Sequence, residues 1–558
     1  MIYLSKQKSQ TFVFGAVILL ISNVLVKLIG AVFKIPLTHI IGVAGMSNFN
    51  AAYSIYVSFY MISTAGIPVA VSRMIAASNS KGNLNEVKKI FRLAYWVFFT
   101  VGLVGTVAMI VFSRSFAEFS KMPDSYLAMI VIAPTLFFIC LSSAYRGYFQ
   151  GMQNMVPSAV SQVIESVGKL GIGLVAAWYF RYVKGYELHV VAAYVISGVT
   201  IGVFAATVYI YIIKLMYNSS ADYKHSVEAC ADMQVRSSKS LLYELVITSL
   251  PIAIASSIMG LTNTVDTFLM ARRLVLTGIS SEAAASFYGT YTSMVIPLFN
   301  MTPTFIYPFA ISVIPALSAA IANNKPKDGV AQMESAFRMG AIISIPCAIG
   351  IGVMSKGIVS LLFSSELIDT GSYTVDAIDL AAPALSIVAC AIFFLGIISI
   401  TNSILQAYRF ERKTIVSTSA GIIAKIIFTY FLSSIPGIGI MGSAVGTAAC
   451  YFVIMSFNVF FVIKYTHFVP SIRKTFLKPL ISGVVCGLTA ILVSNLLDGR
   501  INAKIATILS IGVAACVYLV ILLLIKGINR KDVLMIPKGE KICAVMDKFN
   551  LLEKTDAE

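Results

Sequence analysis

Charge is scarce in this chain. Asp, Glu, Lys and Arg make up 12% of its 558 residues and apolar residues 58%, where an ordinary soluble domain carries roughly 25% charge. Acid is scarcer than base, 25 residues against 42. The eight cysteines, Cys140, Cys230, Cys347, Cys390, Cys450, Cys486, Cys516 and Cys543, are scattered singly with no C-x-x-C pair; they read as small core residues, not as disulfides or metal ligands. The four histidines, His39, His189, His225 and His467, are also far apart, so nothing points to zinc or haem, and no cofactor is expected. Polar–apolar alternation over ten-residue segments is missing, which excludes a β-barrel. A net charge of +17 in so apolar a chain is not read as a sign of nucleic acid; its placement matters more.

What the chain does have is a succession of apolar runs of 18 residues or more, from near the N-terminus to Lys526. Each is long enough to cross the roughly 30 Å hydrocarbon core as a helix. The expectation is an all-α polytopic membrane protein with about 14 helices, near 12–33, 48–76, 90–112, 126–148, 156–180, 190–214, 241–271, 287–321, 336–363, 380–407, 414–434, 440–463, 475–497 and 503–525. The run after Lys6 and Lys8 is too long for a cleaved signal and leads into further spans, so the first helix is expected to stay.

Base collects in alternate connections: Arg73, Lys81, Lys88, Lys89 and Arg92; Lys214, Lys224, Arg236 and Lys239; Arg409, Arg412 and Lys413; Arg473, Lys474 and Lys478. The opposite loops are short, and the segment 364–379 holds Glu366, Asp369, Asp376 and Asp379 without Lys or Arg. That is the positive-inside pattern, and it puts both termini in the cytoplasm of a cell bounded by this plasma membrane.

The chain repeats itself weakly. Residues 148–169 and 404–425 align without a gap, pairing Gln150 with Gln406, Ser161 with Ser417 and Lys169 with Lys425; a second match pairs Ser72 with Ser318 and Phe91-Arg92 with Phe337-Arg338. Six helices per unit is an even number, so the halves insert the same way up, about an axis along the membrane normal. The expected organisation is an N-lobe over 1–240 with a solvated cytoplasmic linker at 214–240, a C-lobe over 241–466, and two further helices with a tail over 467–558.

The stretches "LIGAVFKIPLTHIIGVAGMSNFNAAYSIY", "GIPVAVSRMIA", "YRGYFQGMQNMVPSAVSQVIE", "NTVDTFLMARRL" and "PTFIYPFAISVIPALSAAI" resemble the polysaccharide-transporter branch of the multidrug/oligosaccharidyl-lipid/polysaccharide exporter superfamily, above all its stage V sporulation protein B group, which is related to the lipid II flippase MurJ. The resemblance implies a V-shaped, two-lobed carrier that moves an undecaprenyl-pyrophosphate-linked sugar or muropeptide outward by alternating access, with the last two helices forming a groove for the lipid tail. In that family cavity arginines hold the pyrophosphate. The matching first-helix bases here are Lys27 and Lys34: lysines, one residue further apart. The eighth helix has no arginine and carries Tyr291, Ser293 and Asn300 instead.

A lysine near a bilayer midplane costs roughly 2.5–3.5 kcal/mol on insertion scales, so each intramembrane charge asks for a partner. Lys27 and Lys34 share a helix face about 10 Å apart along its axis, and a pyrophosphate in a water-filled cavity answers both; the alternatives are a buried ion pair for Lys27 and snorkelling beside Pro36 for Lys34. Asn23 lies on the same face. Lys169 has Glu165 one turn earlier, the spacing of an i,i+4 ion pair, whereas Lys425 has Gly421 there and is the better unpaired cavity charge. Asp266 reads either as a proton or cation site or, preferably, as the counter-charge anchoring Arg273 or a first-helix lysine. Substrate contacts are therefore expected from Lys27, Lys34, Lys425, Arg273, Asn300 and Asn23, and coupling or structural charge from Asp266, Glu165 and Lys169. Pro297, Pro303, Pro308 and Pro315 mark the eighth helix as one that bends or stands kinked.

The function these features favour is a non-enzymatic flippase for lipid II or a related lipid-linked saccharide, coupled to membrane potential or to a monovalent cation or proton, with membrane lipid and cell-wall synthesis proteins as partners. A cation-coupled multidrug exporter, a polysaccharide-assembling membrane enzyme and a non-transporting scaffold are the alternatives. The first wants cavity carboxylates, and the second wants a sizeable outer loop and an acid/base constellation.

Overall fold

The computed structural model describes residues 12–64, 66–219, 234–323, 325–410, 412–471 and 473–529. Most of the expected linker at 214–240 and of the C-terminal tail lies outside them. The chain divides into two compact units, one running to Arg272 and taking in Ser280–Gly289, the other comprising Arg273–Ile279 and everything from Thr290.

The first unit opens with α1, Phe12–Thr64, 53 residues of continuous helix interrupted at Gly42, where φ is 65° and ψ 179°. At 1.5 Å per residue such a run is far longer than a bilayer is thick, and the break makes it two crossings in a conformation that a side chain would disfavour. The helix passes through Lys34 and Pro36 to reach this break; the end expected at 33 is not there, because only Gly42 supplies the backbone freedom. After Gly66 comes α2 (Ile67–Ser80), then α3 (Leu84–Val111), α4 (Ser113–Phe119), α5 (Tyr126–Gly151), α6 (Val156–Trp178) and α7 (Leu188–Ser219). Gly66 is obligatory: a Cβ there would lie 2.1 Å from the Ser249 carbonyl oxygen. That oxygen belongs to α8 (Ser238–Val275), which precedes α9 (Ser281–Thr290).

A strap of backbone ties the start of α8 to this unit. The buried Glu86 carboxylate accepts from the Ser78 hydroxyl (2.7 Å) and from the Arg236 backbone N–H, Nε and Nη2 (3.2, 3.1 and 2.9 Å). Asn83 caps α3 and donates to the Gln234 carbonyl, and Lys89 donates to the Arg236 carbonyl. The bonds to Glu86 raise Arg236 above the ordinary arginine pKa, the Glu86 side-chain hydrogen bond first among the causes.

In the second unit the expected eighth helix is in pieces. A π-helical turn, Tyr291–Val295, leads into α10 (Ile296–Met301) and α11 (Pro303–Ala322), since Pro297 and Pro303 supply no N–H and sit where a helix restarts. Then follow α12 (Pro326–Val353), α13 (Ser355–Leu362), a hairpin of β1 (Leu367–Asp369) and β2 (Thr374–Asp376), α14 (Ala377–Ala407), α15 (Arg412–Leu432), α16 (Met441–Thr466), α17 (Lys478–Leu497) and α18 (Ala503–Leu524). The hairpin pairs Leu367 with Asp376 and Asp369 with Thr374.

Among the described residues eleven helices are long and apolar enough to cross a membrane, where the sequence reading counts about 14. One difference is α1, a single helical run with two crossings. The protein is a multi-pass, all-α membrane protein.

The repeat is visible in each unit. Helices α3 and α5, α5 and α7, and α6 and α7 pack together in the first; α12 and α14, α14 and α16, and α15 and α16 do so in the second. The junctions agree bond for bond. Gln153 (φ 57°) donates to the Gln150 carbonyl and Asn154 to Phe149, while Arg409 (φ 62°) donates to Gln406 and Phe410 to Leu405. Both are left-handed helix C-caps.

Candidate functional site

Asn23, Lys27, Gly30 and Lys34 follow one another at helical spacing along a single face of α1. The adjoining Ser22 is buried and donates to the Ala159 carbonyl at 2.9 Å, fixing α1 on α6. Asn23 and Lys27 are exposed, Lys34 is half-buried, and a Cβ on Gly30 would meet nothing within 4 Å. The stripe therefore borders open space along Asn23 to Gly30 and enters the packed unit at Lys34. Because α1 continues to Gly42, Lys34 lies within the helix and not at its end.

The break at Gly42 turns α1 back on itself and brings Phe33 to Phe49 (5.9 Å between ring centroids) and Phe49 onto Tyr53 (5.9 Å, 11°). Lys169, from α6, rests on this aromatic wall with Nζ 4.2 Å from the Tyr53 ring centre and 5.2 Å from that of Phe33. Both are cation–π distances. Phe33, one of the two rings that Lys169 faces, is the chain neighbour of Lys34. Two positive charges from distant parts of the chain thus share one aromatic-lined corner.

The carboxylate expected to neutralise Lys169 is engaged elsewhere. Glu165 accepts from Arg146 of α5 at 3.0 Å, and Arg146 Nε donates to the Ser161 hydroxyl at 2.9 Å. The i,i+4 pairing of Glu165 with Lys169 is replaced because a buried guanidinium with several donors binds a carboxylate better than a lysine that already has two ring faces. Arg146, Phe33 and Tyr53 were not singled out from the sequence. The signal was an arginine amid the apolar run of α5, at the repeat position of Asn402.

In the second unit the repeat positions carry a neutral version of this clamp. Asn458 donates to Asn402 (2.7 Å) and Thr401 (3.3 Å) and accepts from the Ser417 hydroxyl (2.6 Å). Gly421 stands where Glu165 is, and a Cβ there would lie 2.4 Å from Ile454 Cγ1 and 2.8 Å from the Cys450 oxygen; α15 and α16 approach too closely for any side chain. Lys425, the counterpart of Lys169, is 1% exposed. Arg273 stacks on Tyr430 of α15 at 3.2 Å, and Asn300 is exposed. Tyr291 is buried, its hydroxyl 2.8 Å from that of Thr447. Asp266 is buried in the first unit beside Thr267, which bonds Tyr288 at 2.9 Å. The structure thus holds Asn23, Lys27, Lys34, Glu165, Lys169 and Asp266 in the first unit and Lys425, Arg273 and Asn300 in the second.

Comparison with known proteins agrees with this fold. Residues 12–321, more than half of the chain, match the family model described as polysaccharide biosynthesis protein. Stage V sporulation protein B of Bacillus subtilis (strain 168) is 23% identical over 95% of this chain and 98% of its own. The lipid II flippase MurJ of the same organism is 22% identical over 90% and 94%. Among solved structures, a lipid II flippase MurJ in an inward closed conformation matches with TM-score 0.65 and 14% identity over 90% of this chain and 97% of its own. An inward-facing multidrug resistance MATE family transporter matches with TM-score 0.58 and 13% identity over 78% and 98%. These likenesses are of fold.

Proposed function

The chain belongs to the polysaccharide biosynthesis protein family, and on that premise we propose that it is a flippase which carries an undecaprenyl-pyrophosphate-linked cell-wall precursor, lipid II or a related lipid-linked saccharide, from the inner to the outer leaflet of the plasma membrane. The observation that carries the reading is the α1 stripe of Asn23, Lys27 and Lys34 with Lys169 beside it, while the nearest α6 carboxylate, Glu165, is engaged by Arg146. Ammonium groups at membrane depth are stabilised by an anion that shares their site, and lysine binds phosphate as a point charge. Lys27, on the exposed part of the stripe, is the leading contact. The aromatic wall, with Phe33 and Phe49 fully buried, fixes where Lys169 stands beside that stripe.

Charge also supplies a driving force. Moving an anion outward across an inside-negative membrane is favourable by about 2.3 kcal/mol per charge per 100 mV, and the emptied cationic site is drawn back inward. Both termini are assigned to the cytoplasm, and the cell-wall enzymes that consume the precursor outside are the natural partners. A cation-coupled drug exporter is the weaker reading, since the Glu165 carboxylate, which could otherwise meet a cation, is held by Arg146.

The test is flipping of fluorescent lipid II in proteoliposomes under an imposed potential, with wild type and Lys27→Gln at matched folded protein. Transport by wild type that falls at least tenfold in the variant supports both the substrate and the site. Transport that ignores both the substitution and the potential overturns the anion site and the driving force together.

A further inference from the structure

We propose that the α14–α15 turn and the end of α16 form a binding site for the phosphate headgroup of an anionic membrane phospholipid, separate from the stripe on α1. The turn brings Phe410 onto Tyr465, ring centres 4.4 Å apart and planes at 22°. Four bases lie on these elements, two of them over the stack. Lys413 Nζ is 5.6 Å from the Tyr465 ring centre, and Lys464 Nζ is 5.9 Å from the same ring and 5.8 Å from that of Phe460. Arg409 and Arg412 are exposed alongside. None of the four forms an ion pair among the described residues.

The depth of the site fits a headgroup. Phe460 is 54% exposed and Phe457 39% exposed on the outer flank of α16, the surface that faces lipid in a membrane helix. Lys464, one turn further on, leans its ammonium back over Phe460, so that its charge lies at the edge of the apolar belt and not out in bulk water. An amphipathic aromatic flanked by cations at that level matches the ester-phosphate zone of a leaflet.

The general preference for base on one side of a membrane accounts for positive residues in such a loop, but the repeat provides an internal control. The equivalent turn of the first unit has the same left-handed residue and the same two backbone bonds, yet it carries Gln153, Val156 and Pro157 where the second has Arg409, Arg412 and Lys413. The fold builds this turn without any base, so the four cations and the stacked rings are an addition to it. Lys413 and Lys464 over the Tyr465 ring, with Arg409 and Arg412 exposed on the same turn, outnumber its one acid, Glu411, which lies outside the described residues, and attract a phosphate monoanion or a linked pair of them.

The experiment is native mass spectrometry of the full chain released from nanodiscs of phosphatidylglycerol or phosphatidylcholine, with a phosphatidylglycerol titration to give apparent affinity. Wild type is expected to retain phosphatidylglycerol selectively. The double variant Lys413→Gln/Lys464→Gln should bind it about tenfold more weakly, Lys413→Arg/Lys464→Arg should bind as wild type, and Lys184→Gln/Lys504→Gln, which removes two bases elsewhere, should change nothing. Equal retention of the two lipids overturns the proposal, as does an unchanged affinity in the glutamine double variant. Displacement of the lipid by millimolar inorganic phosphate also overturns it, because the site would then be one for free phosphate. None of these readouts depends on transport.

Discussion

Arg146 of α5 holds the carboxylate of Glu165 at 3.0 Å, while Lys169, one turn along the same helix as Glu165, stands over the ring of Tyr53. That exchange of partners frees a positive charge in the first unit and commits an arginine to structure. It yields opposite expectations for two bases of the same unit. Arg146→Ala, which strands a mostly buried carboxylate, should cost about 3 kcal/mol of stability. Lys169→Gln, which gives up only two ring faces, should cost roughly 0.5–1 kcal/mol. Unfolding in mixed detergent–SDS micelles checks both, and a larger loss for Lys169→Gln than for Arg146→Ala would show that Arg146 is not what balances Glu165.

The strap between Arg236 and Glu86 makes a second prediction. Arg236 is 43% exposed but the Glu86 side chain only 9%, so the loss on truncation is set by the carboxylate left behind more than by a screened surface ion pair. Arg236→Ala should lower stability by about 2 kcal/mol and raise amide hydrogen exchange over the first turns of α8. Exchange there that matches wild type would mean the backbone bonds of Gln234 and Arg236 hold α8 without the guanidinium.

Asn458 joins three helices of the second unit, donating to α14 and accepting from α15. Hydrogen bonds between membrane helices average about 0.6 kcal/mol each, and this side chain makes two good ones with no water to replace them. Asn458→Leu should therefore cost about 1–2 kcal/mol, measured by the same unfolding assay. A neutral result would indicate that Asn402 and Ser417 find each other directly once Asn458 is gone.

The hairpin before α14 is acid-sensitive. Burial by itself raises the Asp376 carboxyl, but bonds from the Ser365 hydroxyl (2.5 Å), the Ile378 N–H (2.9 Å) and the Glu366 backbone outweigh it and leave the pKa below the ordinary 3.8. A depressed pKa means stability fully present above 3.8 and lost as pH falls through the lower folded value. Amide exchange over 365–378, corrected for intrinsic rates, should be flat from neutral pH to about 4 and accelerate below it. Asp376→Asn should abolish the acceleration and, as loss of a charged N-cap, cost at most about 1 kcal/mol. An acceleration that persists in the variant would show that Asp376 is not its source.

Much of this protein was already determined by its sequence. Scarce charge and long apolar runs leave helices across a membrane as the only way to satisfy the backbone, and the 256-residue offset between Gln150 and Gln406 already marks two copies of one helix junction. The face shared by Asn23, Lys27 and Lys34 follows from helical geometry alone. What only tertiary structure decided is which charges meet. Glu165 and Lys169 have the spacing of an ion pair, yet the packing of α5 on α6 brings a better donor to the carboxylate. Gly42 looks like one glycine among 37 until its φ of 65° folds α1 back and sets Phe33 and Tyr53 under Lys169. Gly421 cannot be replaced by the acid its repeat partner Glu165 provides, because α16 lies too close for any side chain there. Spacing along a chain fixes which side chains share a face, and the approach of a second helix, set by packing over the whole unit, fixes what that face touches.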